Sequence, residues 1–225
     1  MAIDYKMLIS KKIDENSTVD IRSQILQIAI YDEFKAYEAY AKIIEKFGNI
    51  NPFSNIKEAE AVHYSVLISL MQKYSVEVPI NDWADKIDVP NTIIECCELG
   101  VASEIDNIAM YNHLLNYAQD SDIIDVLFRL QAASYNNHLP SFRACVQNHY
   151  NSGNLPESGV DMMQKMQEYQ EMINNIMSGN IDESLISKLI PNINKEFLAG
   201  AGSGAGVAYL LNELLKKATD TEIKE

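Results

Sequence analysis

Positive charge is scarce in this sequence. Its 18 Lys and Arg stand against 32 Asp and Glu, a formal net charge of -14 over 225 residues. A nucleic-acid surface needs Lys and Arg to neutralise phosphates, so no nucleic-acid partner is expected. The acidic balance suits a protein that handles cations, although acidic surfaces are common. Cysteine is rarer still. Cys96, Cys97 and Cys145 make an odd count with two adjacent. That is no disulfide framework, and it fits a reducing compartment. No apolar run reaches the ~20 residues of a membrane-spanning helix. The opening MAIDYKMLISKKIDEN mixes both charge signs and lacks the apolar centre of a signal peptide. The expectation is a soluble, cytoplasmic protein. Strand-like alternation is also missing. Without a strand there is no strand–loop–helix phosphate cradle, and the glycines between 200 and 206 lack the Lys-Ser/Thr of a P-loop. No Ser–His–Asp or Cys–His arrangement stands out among sequence neighbours.

What the sequence does have is helical periodicity. Hydrophobic residues make up 47% of the chain, enough for a sizeable core. Four long segments place them at three- and four-residue steps. The first runs from about Thr18 to Phe47 and stops at Gly48. The second starts at Ser54, read as its N-cap, and runs to about Tyr74. A loop bracketed by Pro79 and Pro90 holds Trp83, the sole tryptophan. The third runs from about Asn91 to Tyr117, and the fourth from after Ser121 to near His149. The expected class is all-α, with an N-terminal segment 1–16, a helical domain 17–150 and a helical appendage 151–225 carrying a Gly-rich segment at 200–206. In the appendage, Met162, Met163, Met166, Tyr169, Met172, Ile173 and Ile176 form a stripe. Such a Met-rich face suits docking on the rest of the chain or on a second copy, which makes a homo-oligomer plausible through these helices.

The four segments read as one helix pair repeated. Setting DEFKAYEAYAKII beside SEIDNIAMYNHLL aligns Glu33 with Glu104 and Tyr40 with Tyr111. Setting EAVHYSVL beside YNNHLPSF aligns His63 with His138 and Glu60 with Tyr135. Residues three apart share a helical face, so Glu60 and His63 can reach one metal ion together. One Glu from each of two helices and Glu-x-x-His from each of the other two form the ligand set of di-iron and di-manganese carboxylate bundles. Glu33, Glu60, His63, Glu104 and His138 fill five of those six positions, and Tyr135 stands at the sixth. Each has an ordinary alternative: a solvated Glu-x-x-His, carboxylates paired with cations, a His138 that caps a bend before Pro140.

The segments DEFKAYEAYAKIIEKFG, PFSNIKEAEAVH, ELGVASEIDNIAMY and ASYNNHLPSFR resemble the ferritin-like, rubrerythrin-related proteins, and among them an uncharacterised bacterial and archaeal ferritin-like family. They span about half the chain. The resemblance implies a ferritin-like four-helix bundle with a long crossover between its second and third helices. It also implies a dinuclear metal site, with iron expected and manganese or zinc as substitutes. Ferroxidase or peroxidase-type oxidoreductase chemistry would follow, with oxygen or peroxide as oxidant. Tyr135 departs from that family's pattern. It is read as a redox-active phenol near the metals, a hydrogen-bond donor to the ligands, or core packing. Tyr40, Tyr111 and Asp106 are candidates for supporting the ligands, Asp106 by accepting a proton from a ligating His. Cys97, seven residues before Glu104, is read as a small buried hydrophobe. The other reading is a ferritin-like scaffold with a single or vestigial metal, working in assembly or binding. One geometric demand is strict. At 1.5 Å per residue Glu33 lies about 22 Å before Gly48 and Glu60 about 9 Å after Ser54, so NINPF has to run back along the helices for them to meet.

Overall fold

The computed structural model describes residues 3–151, and the appendage reading of 151–225 with its Met-rich stripe falls almost wholly outside them. The described residues are helical, with no strand among them. Helix α1 spans Tyr5–Ser10 and starts at Asp4, whose side chain accepts from the Lys6 and Met7 N–H groups. Helix α2 spans Ile21–Phe47, with Asp20 accepting from the Ser23 N–H. Gly48 ends it at φ +89°, a conformation that costs glycine little and other residues much.

Helix α3 spans Phe53–Lys73. It begins at Pro52, two residues before the expected cap. Ser54 lies in its first turn and donates to the Ile50 carbonyl instead. Helix α4 spans Ile93–Leu115. Thr92 and Glu95 close a reciprocal capping box at its start, a signal present in the sequence.

The fourth segment is one long helical run with a defect. Helix α5 spans Ser121–Ala133, a π-helical turn covers Ser134–His138, and α6 spans Leu139–Asn151. In the turn the Leu139 N–H reaches back to the Ser134 carbonyl. Pro140 gives the local cause. It has no N–H for the Asn136 carbonyl, and its ring would clash with that carbonyl in a regular helix. One extra residue in the turn relieves both problems.

Helix α2 packs on α3 and α4, α4 on α5 and α6, and α3 on α5, while α1 lies on α2. Two apolar clusters result. One holds Leu26, Ile30, Leu67, Met71, Leu114 and Leu127, and is joined by Met7 and Leu8 of α1. The other holds Tyr40, Phe53, Val101, Phe142 and Cys97. Near the junction of the two clusters the long helices carry the buried polar residues Glu33, Glu60, Glu104 and His138. Each fully buried Leu or Ile contributes about 1.5–3 kcal/mol, which fixes the helices around that polar layer.

The cysteine reading needs correction. Cys97 and Cys145 are joined by a disulfide, and Cys96 is the free, buried thiol. The pairing was invisible in the spacing because 48 residues separate the partners. The antiparallel contact of α4 with α6 brings them together. The argument from unpaired cysteines to a reducing compartment falls with it. No described helix is long and apolar enough to cross a membrane.

Candidate metal centre

Two groups of three side chains could each hold a metal ion: Glu33, Glu60 and His63, and Glu60, Glu104 and His138. In each group the ligand atoms lie within 4.8 Å of one another. Glu60 belongs to both. Its Oε2 is 2.7 Å from His63 Nδ1 and its Oε1 is 3.2 Å from His138 Nδ1. Glu33 Oε2 lies 3.2 Å from His63 Nδ1, and Glu104 Oε2 lies 3.5 Å from His138 Nδ1. The two imidazoles stack with centroids 5.5 Å apart. All five ligands expected from the sequence therefore converge. The residues 48–52 do run back far enough for Glu33 to meet His63. Of the three carboxylates, Glu60 alone is shared.

The tyrosines cross between the halves. Tyr40 of α2 donates to Glu104 Oε1 of α4 at 2.9 Å. Tyr111 of α4 donates to Glu33 Oε1 of α2 in a short hydrogen bond. Each half's phenol thus fixes the other half's glutamate. Burial and then the facing carboxylate hold both phenols well above the usual tyrosine range, so they remain donors.

The electrostatics show how far this layer is from an ordinary core. Burial pushes the Glu33 carboxyl up, and the neighbouring Glu60 charge adds to it. Burial opposes charge on His63 as well, but its hydrogen bonds to Glu33 and Glu60 outweigh that and raise it to about 10. His138 is raised to about 9 against its burial by Glu104 and Glu60. Burial also opposes the Glu60 charge, yet His138 and His63 hold its carboxyl below the ordinary value. Positive charge is what these carboxylates demand, and without metal the imidazoles carry it as protons. His138 Nδ1 is buried and makes no hydrogen bond of good geometry. An orphaned imidazole nitrogen facing two carboxylates fits a coordinating role better than a packing one.

Tyr135 is not part of this centre. Its side chain is 63% exposed and lines an outer groove with Phe128 and Gln131. The reading of Tyr135 as the sixth residue, and as a redox phenol, assumed a regular helix. Across the π turn the residue on His138's face is four back, not three. That residue is Ser134, 4% exposed. Its hydroxyl donates to Asn107 Oδ1 at 2.8 Å, and Asn107 Nδ2 donates to Asp32 Oδ2 at 3.0 Å. Asp106 also departs from expectation. It faces Lys11 at 2.6 Å rather than a ligating imidazole.

Lys11 sits between Asp106 and Asp32, 2.5 Å from Asp32. Burial disfavours its charge, but the two carboxylates hold its ammonium above the usual lysine range. No sequence signal marked Lys11, Asn107 or Ser134. Pro140 did mark the turn that brings Ser134 inward. His113 accepts from the Ile13 N–H through Nε2 at 3.1 Å.

A small cavity of about 40 Å³ reaches the site from the α2–α4 side, lined among others by Lys35, Ala39, Tyr40, Gly100, Glu60 and Glu104. A water needs about 10–15 Å³ on this measure, so it admits roughly three water-sized molecules.

No family model matches the chain, and no curated protein does. Among solved structures, the fold is similar to the crystal structure of a hypothetical protein from Methanococcus jannaschii, with a TM-score of 0.53 and 19% identity over 61% of this chain and 86% of that one. At that identity the likeness carries the helical fold alone.

Proposed function

We propose that this chain is a ferritin-like four-helix bundle with a long crossover, holding two metal ions that Glu60 bridges. Helices α2, α3, α4 and the α5–α6 run are its four members, and residues 74–92 are the crossover. The observation that carries the reading is the shared carboxylate, whose two oxygens face imidazoles of separate triads. Glu33 and His63 would complete one ion's protein ligands, and Glu104 and His138 the other's. Iron is the expected metal, because carboxylate and imidazole ligands suit it and the set supplies five of the six residues of di-iron bundles. Manganese and zinc are the substitutes.

When bound, two such ions supply a two-electron redox centre for oxygen or peroxide. The protein's part is positioning. Tyr40 and Tyr111 fix the outer carboxylates, and the small cavity has room for a diatomic or peroxide-sized molecule. The reading is therefore ferroxidase or peroxidase-type chemistry in iron handling or peroxide removal.

Metal content per chain after loading with ferrous iron without oxygen, measured by mass spectrometry, tests it. Two ions in the full chain and fewer than one in Glu60→Ala is the expected result. One ion per chain would favour a scaffold with a single metal, and none would reject the metal reading.

A further inference from the structure

Helices α4 and α6 run antiparallel along a seam with three rungs. Cys97 meets Cys145 in the disulfide. Three residues onward on α4 and three back on α6, Gly100 meets Phe142 so closely that a Cβ on Gly100 would lie 2.5 Å from the ring. Four more residues each way reach Glu104 and His138, two ligands of the second triad. The sulfurs are thus seven residues from a ligand on both helices, about 10 Å along the axis at 1.5 Å per residue.

The space between is packed. The Phe142 ring lies 5.4 Å from that of Tyr40, and Tyr40 donates to Glu104. Tyr40, Phe142 and Cys97 belong to one buried cluster, against which Cys145 packs. Cys97 is fully buried, whereas Cys145 is partly exposed. The Cys145 end of the disulfide is therefore the one nearer solvent, and it is the end an external thiol would attack.

We propose that Cys97 and Cys145 are a redox pair that supplies electrons to the metal centre, so that the protein is a dithiol-dependent peroxidase. The proposal rests on the dinuclear-metal reading above. In one turnover both S–H bonds break and the S–S bond forms. The O–O bond of hydrogen peroxide breaks. The two electrons and two protons from the thiols convert the peroxide to two waters. Sulfur is oxidised and peroxide oxygen reduced, and a small external dithiol restores the pair through Cys145. Cys96 takes no part. It is buried, and its thiol is pushed up to about 12 by that burial, which makes it an internal control.

The test uses the full chain with its thiols reduced, the reductant removed without oxygen, and ferrous iron loaded. One equivalent of hydrogen peroxide is added, the reaction is stopped by alkylation, and each cysteine is read by mass spectrometry. The expected result is a Cys97–Cys145 disulfide with Cys96 alkylated. The iron-free chain should form it at least about tenfold more slowly, because without the metal centre peroxide would have to reach the thiols directly, and Cys97 is fully buried. The double variant Cys97→Ser with Cys145→Ser should keep its iron and lose at least about tenfold in dithiothreitol-supported peroxide turnover. Iron binding and peroxide consumption with both thiols intact would overturn the coupling alone. Equal disulfide formation with and without iron would overturn it too, leaving a cystine independent of the site. Failure to bind iron would overturn the metal reading and the coupling together.

Discussion

The two halves of the centre reach similar positions with different backbones. In the first, Glu60 and His63 stand three residues apart on the regular helix α3, and Glu33 faces them from α2. In the second, Glu104 lies on regular α4, but His138 follows a π turn and its helix brings a serine inward instead of a carboxylate. The second half therefore depends on the first for its second carboxylate, through Glu60. One negative charge fewer surrounds the pair of sites than in a six-ligand set. The position left by that charge opens instead onto Ser134, Asn107, Asp32 and Lys11. A repeat in sequence is thus not a repeat in electrostatics.

Removing Glu60 should do most damage, because it is the one group both halves use. Glu60→Ala is expected to weaken both ions by well over the 10–100-fold typical of losing a ligand's supporting partner, as read by iron titration. Retention of one tight ion would show that the halves are independent. Next come the imidazoles. His63→Ala and His138→Ala should each cost one ion per chain in metal analysis, whereas His149→Ala should cost none. Unequal losses would say which half binds first.

The legible part of the site was the part on regular helices. Glu33, Glu60, His63 and Glu104 followed from 3.6-residue periodicity and the repeat, and all four meet. His138 was found for an incomplete reason. Its alignment with His63 was right, but the inference from it to Tyr135 presumed three-residue face sharing that the π turn breaks. The disulfide and the Lys11 cluster join residues 48 and 95 apart, so no local pattern could announce them. The ends of the four long helical segments were legible within about three residues, whereas α1 at Tyr5–Ser10 was not read. Thr92 and Asp20 cap α4 and α2 but were not read as caps from the sequence, and the start of α3 at Pro52 was masked by the more conventional Ser54.

Under the proposed reading, protons would compete with a metal for both halves. In the metal-free site His63 and His138 keep theirs to about 10 and 9, and the Glu33 carboxyl is also raised. A bound metal would have to displace them, so affinity should rise with pH through the neutral range, by about tenfold per unit for each proton displaced. Calorimetry in buffers of different ionisation enthalpy would count the protons, and a pH-independent affinity would contradict the ligand set. The crossed phenols should matter less. Tyr40→Phe and Tyr111→Phe are each expected to reduce affinity about 10–100-fold, and the comparison is sharpest if Tyr40→Phe weakens the second ion and Tyr111→Phe the first. Smallest of all is Tyr135→Ala, which should leave iron content unchanged. A loss there would mean that the turn is regular in solution and the phenol faces the metals.

Lys11 ties the beginning of the chain to this chemistry. It lies at the end of α1, yet its ammonium is the counter-ion of two aspartates, the buried Asp32 beside Glu33 in sequence and the partly buried Asp106 two residues past Glu104. Stripping a partner from a buried pair typically costs about 3–5 kcal/mol, because the remaining charge is stranded. A chain trimmed of its first dozen residues as a dispensable leader would lose more than a short helix. It would leave Asp32 and Asp106 without their shared ammonium, and a change in iron affinity or redox behaviour seen in such a trimmed protein would report that missing cation as well as the centre itself.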